Sequence, residues 1–243
     1  MNDRSDAAPP GVTEVTHRLA AVRDRVRRAL LEARRSPGET AILAVSKQHT
    51  AAAIEALAAA GQREFGENFV QEAMAKIAAL QHLEIDWHFI GHIQSNKTRD
   101  IAEHFGWVHT VDRMRVARRL NAQRPYYREP LNVCIQVNQA HEPQKGGIAP
   151  GGAADLARGI MELSRLRLRG LMSLPPAAAD PAQSIRFFAA LRQLKQRLTG
   201  EGIPMDTLSM GMSFDLEGAV REGSTIVRVG TAIFGPRARK TDR

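Results

Sequence analysis

One lysine, Lys47, follows the apolar run Ala41-Ile42-Leu43-Ala44-Val45, within Ala44-Val45-Ser46-Lys47. A lysine amine at the mouth of a core is partly desolvated, which lowers its pKa and frees the lone pair that attacks aldehydes to form Schiff bases. The plainer alternative is a solvated strand-end lysine. Two loops bear on the choice. Leu208-Ser209-Met210-Gly211-Met212-Ser213 leads into a helix and offers hydroxyls, a glycine for close backbone approach, and N–H groups at a positive helix end. Val229-Gly230-Thr231-Ala232-Ile233-Phe234-Gly235 supplies a second glycine-bearing turn. Either alone could be an ordinary turn with a serine cap. Arg228 alternates in phase with Ile226 and Gly230, so it faces any ligand that Gly230 approaches. It needs an acceptor there, such as a carboxylate or a ring nitrogen, unless it forms a structural salt bridge.

Strand-like and helical runs alternate along the chain. Val15, Leu19, Val22, Val26 and Leu30 recur at spacings of three and four, which predicts a first helix over Val12 to Arg34. Strands are predicted at Ala41 to Ser46, Arg63 to Gly66, Asp86 to Gly91, Trp107 to Val111, Asn132 to Asn138, Leu168 to Met172, Thr207 to Met210 and Ile226 to Val229. Amphipathic or alanine-rich segments separate them, near Ala51 to Ala60, Phe69 to Leu80, Asn96 to Phe105, Met114 to Ala122, Ala153 to Leu163, Ser184 to Leu198 and Phe214 to Glu222. Strands parted by helices imply parallel βαβ crossovers. Eight of them, in 243 residues, favour one closed (β/α)8 TIM barrel with an additional N-terminal helix. No Gly-x-Gly-x-x-Gly follows the first strand, which counts against a dinucleotide-binding fold. The loops Lys145 to Gly152 and Pro175 to Pro181 are expected to lie over one barrel mouth. The domain thus spans 12–236, between an N-terminus (1–11) expected to be disordered and a basic C-terminal tail (237–243) expected to fray.

In such a barrel the reactive groups gather at the C-terminal strand ends, where phosphate is often held after strands seven and eight. Lys47 ends the first strand. Glu67 and Asn68, His92 to Asn96, Asn138 and Ser173 end others, and each could equally be a turn or cap residue. A Schiff-base lysine, a phosphate cup and an adjacent arginine together describe a pyridoxal 5'-phosphate site.

Composition sets bounds on other readings. The formal net charge is +8, but aromatics make up 5% and the arginines are spread along helical segments, so solvated helix faces are favoured over a nucleic-acid surface. Nothing approaches the length of a membrane span, and the N-terminus lacks an apolar signal core, so the expectation is a cytoplasmic protein. Cys134, the one cysteine, lies in an apolar run and reads as core packing.

Ala44-Val45-Ser46-Lys47, Phe65-Gly66-Glu67-Asn68-Phe69-Val70-Gln71-Glu72, Trp87-His88-Phe89-Ile90-Gly91, Gln94-Ser95-Asn96-Lys97, Ile135-Gln136-Val137-Asn138, Gly170-Leu171-Met172 and the two glycine-bearing loops occur in one order across nearly the whole chain. In these motifs the chain resembles the pyridoxal phosphate homeostasis proteins. The resemblance implies a fold-type III barrel like the N-terminal domain of alanine racemase, with Lys47 carrying the cofactor as an internal aldimine. It implies that Ser209, with Met210 beside it, Gly211, Gly230 and Thr231 hold the phosphate, and that Arg228 faces the pyridine nitrogen and weakens the ring as an electron sink. Asn68 and His88 are expected wall residues, although His88 could equally be a core histidine.

Two-base racemisation needs a second acid or base opposite the lysine, which in alanine racemase is a tyrosine from a further domain of the partner subunit. Tyr126 and Tyr127, the only tyrosines, fall in a polar connection on the strand N-terminal side. The family resemblance therefore implies a carrier and regulator of pyridoxal phosphate, without evident catalysis, that serves apo-enzymes or responds to amino acids as a monomer or weak dimer. A barrel-type enzyme, either an amino-acid racemase or a Schiff-base lyase, and a nucleic-acid binder driven by the positive charge are the alternatives. Lys145 matches a family lysine near the mouth; it is either a relay for passing on the cofactor or an exposed loop lysine. His92-Ile93 departs from the Pro-Leu that many relatives carry.

Overall fold

The computed structural model describes residues 11–236, except 141, 143, 144, 177 and 178. Residues 1–10 and the tail 237–243 lie outside the described residues, as does part of the Pro175 to Pro181 loop. Helix α1 (Val12–Glu32) precedes the repeating units β1 (Ala41–Val45), α2 (Ala51–Ala59), β2 (Glu64–Glu67), α3 (Val70–Ala79), β3 (Asp86–Phe89), α4 (Thr98–His104), β4 (Trp107–Val111) and α5 (Met114–Gln123). These are followed by β5 (Leu131–Val137), α6 (Ala153–Met161), β6 (Leu166–Ser173), α7 (Pro181–Gly200), β7 (Thr207–Ser209), α8 (Leu216–Arg221), β8 (Ile226–Val229) and α9 (Thr231–Phe234). The eight strands pair in sequence order and close into a barrel. Closure is made by β1 lying parallel to β8, from Ala41 opposite Ile226 to Ala44 opposite Val229.

The barrel and its helices agree with the expected (β/α)8 architecture, and most differences are confined to element ends. Helix α7 starts earlier than expected because Asp180 caps it, accepting from the Gln183 N–H at 2.7 Å while the Gln183 side chain accepts from the Asp180 N–H, with Pro181 at the first helical position. Helix α9 was not expected. It has only four residues, and α1 packs against α2, α8 and α9. The extra N-terminal helix thereby covers the flank of the barrel that a longer final helix would otherwise cover. Its buried stripe is the predicted one: Val15, Leu19, Val22, Val26 and Leu30 are all buried. Among its arginines, Arg25 pairs with Glu217 and both Arg27 and Arg28 pair with Asp24, while Arg23 donates to the Ala60 carbonyl at 2.9 Å.

Candidate functional site

Lys47 leaves β1 on a turn that is held from both sides. The Lys76 ammonium, on α3, donates to the Ser46 carbonyl at 2.7 Å, to Glu67 Oε1 at 2.7 Å and to Glu72 Oε1 at 2.6 Å. Ser46 Oγ donates to the same Glu67 oxygen at 2.6 Å. On the far side of Lys47, the Gln48 N–H donates to Glu72, and Gln48 takes a left-handed φ of 63°. His49 then stacks on Phe234 of α9, with ring centroids 4.5 Å apart, which ties this turn to the one after β8. Glu67 is fully buried; desolvation raises its pKa, and the Lys76 charge acts to lower it. Lys76 was missed in the sequence. Its i,i+4 spacing from Glu72 was a visible signal, but nothing local showed that the pair turns inward.

A cavity of about 240 Å³ opens at the C-terminal mouth, lined by Lys47, Asn68, Arg228, Gly230 and Thr231 together with Ser213 and the apolar Ile90, Met172 and Met212. This is smaller than the roughly 300–1,000 Å³ of pockets for drug-sized ligands and suits a small one. The two glycine-bearing loops meet here, because the Ala232 N–H donates to Ser213 Oγ at 3.3 Å. The loop after β7 is shaped by Gly211, whose φ is 93° and where a Cβ would fall 2.4 Å from that of Ala219. The loop after β2 crosses Gly91, where a Cβ would sit 2.0 Å from the Asn68 carbonyl oxygen. Asn68 Oδ1 is buried without a hydrogen-bond partner among the described residues.

Five of the sequence-predicted residues, Lys47, Asn68, Arg228, Gly230 and Thr231, therefore line one cavity. Ser209, Met210 and Gly211 do not line it: all three are buried, and the same loop presents Met212, Ser213 and Phe214 instead. His88 lies within the barrel. It is fully buried, stacked on Trp107 at 5.3 Å and within 2.9 Å of His109. Burial pushes the His88 pKa down to about 3. Arg228 has neither a carboxylate nor a ring nitrogen among its hydrogen-bond acceptors. Its guanidinium donates to the carbonyls of Ser209 and Ser173, at 2.5 and 2.8 Å, and to Ser209 Oγ at 2.8 Å. Burial lowers its pKa to about 10, so it remains a cation at neutral pH. Lys145 is outside the cavity lining and is 23% exposed, less than an open loop lysine would be. It joins two loops by donating to the Pro175 carbonyl at 2.8 Å and pairing with Glu142 at 2.7 Å.

The closed barrel of eight parallel strands, with this cavity at its C-terminal mouth, places the chain among the (β/α)8 barrels. The family model of the alanine racemase N-terminal domain matches residues 18–238. An alanine racemase of Clostridium difficile has the same fold, with a TM-score of 0.73 at 11% identity; the match covers 94% of this chain and 58% of the racemase. Within that class, a pyridoxal phosphate homeostasis protein of Pseudomonas aeruginosa is 51% identical over 226 residues, covering 93% of this chain and 97% of its own. PipY of Synechococcus elongatus, solved with pyridoxal phosphate bound, superposes with a TM-score of 0.81 at 38% identity, covering 91% of this chain and all of PipY. The chain belongs to the pyridoxal phosphate homeostasis protein family.

Proposed function

We propose that this protein binds pyridoxal 5'-phosphate at the barrel mouth through the Lys47 amine and holds it for storage or delivery, without turning over a substrate of its own. The observation that carries the reading is the chemistry of the cavity. It combines one half-buried lysine, one buried arginine, the unpartnered Asn68 Oδ1 and two converging glycine-bearing loops, and its only ionisable lining residues among those described are Lys47 and Arg228. When bound, the cofactor would supply an aldehyde for an amine and an electron-withdrawing ring. The residues then divide the work. Lys47 supplies the nucleophile, while Ser213, Gly230 and Thr231 suit the phosphate as hydroxyl and backbone donors. Arg228 offers a permanent donor to a ring nitrogen lone pair. The buried pair of Lys76 and Glu67, with the partly exposed Glu72, fixes the turn from which Lys47 projects.

Catalytic racemisation would need a second proton carrier across from Lys47. Tyr126 and Tyr127 are 91% and 71% exposed on the connection between α5 and β5, at the opposite end of the barrel. Apo-enzymes that use the cofactor are the natural recipients, and a cytoplasmic monomer or weak dimer fits this role. No helix among the described residues is long and apolar enough to cross a membrane.

The test is the absorbance of the purified protein after incubation with pyridoxal phosphate. A yellow protein that borohydride bleaches, and a Lys47→Ala variant without the band, are expected. A colourless wild type that takes up no cofactor would sink the reading. Incubation with L-alanine should yield no D-alanine at ordinary enzyme rates, and turnover would establish a racemase instead.

A further inference from the structure

We infer that His109 and Ser209 are positioning residues for Arg228, joined with His88 in a one-directional chain of neutral hydrogen bonds that aims the guanidinium at an unprotonated ring nitrogen. The inference rests on the cofactor reading above and reassigns Ser209, expected to hold phosphate, to the opposite end of the ligand.

The direction of the chain follows from proton counting. Arg228 can only donate, and it gives one N–H to Ser209 Oγ at 2.8 Å. Ser209 Oγ can accept a second hydrogen bond, but its single hydroxyl proton needs an acceptor of its own, and His109 Nδ1, 2.8 Å away, is its only other hydrogen-bond partner among the described residues. His109 Nδ1 is therefore an acceptor. Both histidines are completely buried, and desolvation, reinforced at His109 by the Arg228 charge, keeps them neutral. The His109 proton thus sits on Nε2 and is donated to His88 Nδ1 at 2.9 Å. His88 in turn carries its proton on Nε2, an atom buried without a hydrogen-bond partner among the described residues. Each group passes its proton away from the cavity.

Two consequences follow for the ligand. Donation by Ser209 to His109 makes its oxygen a better acceptor, which strengthens its hold on Arg228. No carboxylate contacts Arg228: carbonyls and a hydroxyl accept its hydrogen bonds, and the opposing charge that acts on it, Asp215, does so without a hydrogen bond to it. Arg228 donates a hydrogen bond without giving up its proton, and the neutral Ser209, His109 and His88 supply none to a ring nitrogen at neutral pH. An acceptor nitrogen is favoured and a protonated one is repelled.

The first test needs no cofactor. In the ligand-free protein labelled with 15N-histidine, the His88 and His109 rings should both show an unprotonated Nδ1 and a protonated Nε2, without titration between about pH 5 and 8, the range in which an ordinary histidine changes charge. A protonated Nδ1 on His109, or titration of either ring in that range, would overturn the chain. The second test is equilibrium binding of pyridoxal phosphate, with folding of each variant checked by its melting curve. His109→Leu should weaken binding about tenfold, as expected for one charge-assisted hydrogen bond, and should make the bound-cofactor spectrum pH-dependent. His109→Asn, whose side-chain oxygen can replace Nδ1 as acceptor, should restore most of both. His109→Leu with wild-type affinity and spectrum would remove the positioning role. Failure of the wild type to bind would instead defeat the cofactor reading, leaving the ring states to stand or fall by the first test.

Discussion

Lys47 stands on an ionic cluster, and the cost of disturbing that cluster is predictable. Lys76→Met leaves the fully buried Glu67 without its cation, which should destabilise the fold by about 3–5 kcal/mol. Urea unfolding measures the loss, and adding Glu67→Gln to Lys76→Met should recover much of it by removing the unpaired charge. A second carboxylate responds to pH. Glu64 begins β2 opposite Asp86 on β3, and burial, with the Asp86 charge, pushes its pKa up from 4.5 to about 7. Between those values the folded state retains a proton that the unfolded state has lost. The contribution of Glu64 is therefore fully present below the unfolded value and is lost as pH rises through about 7. Glu64→Gln should raise the urea midpoint at about pH 8 and leave it nearly unchanged at about pH 4.5; equal shifts at both would exclude the effect.

At the scale of elements, α1 reaches the site indirectly. Arg25 forms a bidentate pair with Glu217 on α8, at 2.7 and 2.9 Å, and donates to the Ser213 carbonyl at 3.0 Å. Ser213 lines the cavity, so the helix outside the barrel steadies the loop after β7. Arg25→Ala should weaken pyridoxal phosphate binding several-fold while lowering stability by no more than about 1 kcal/mol, the range of a partly exposed ion pair. Calorimetric titration alongside a thermal melt separates the two effects, and unchanged affinity would show that the loop holds its shape without α1. Periodicity alone reveals the apolar stripe of α1. Its polar contact with Ser213 spans 188 residues and has no local signature.

Across the whole molecule, Cys134 reports on global opening. The thiol is completely buried in β5, and burial pushes its pKa up to about 12, so almost no reactive thiolate exists near neutral pH. A thiol reagent should label the native protein only through unfolding events that breach the barrel, and immediately in denaturant. A ligand that binds the native state alone should slow native labelling in proportion to its occupancy. Rapid native labelling would mean that β5 opens locally.

The sequence by itself determined the alternation of strands and helices, because hydrophobic period is a local property, and with it the barrel, the position of Lys47 and the phase of Arg228. Collinear motifs determined the family. Tertiary structure decided which polar groups share a space. Ser209, Met210 and Gly211 lie in the expected loop, yet Met212, Ser213 and Phe214 line the cavity, because the turn at Gly211 sets which residues of the loop reach it. His109 carries no motif and ends in a chain with Ser209, 100 positions away, because barrel closure brings inward-facing side chains of β4 and β7 within hydrogen-bond reach. A hydrogen bond is set by distances of a few tenths of an ångström between groups whose separation in sequence carries no information about it.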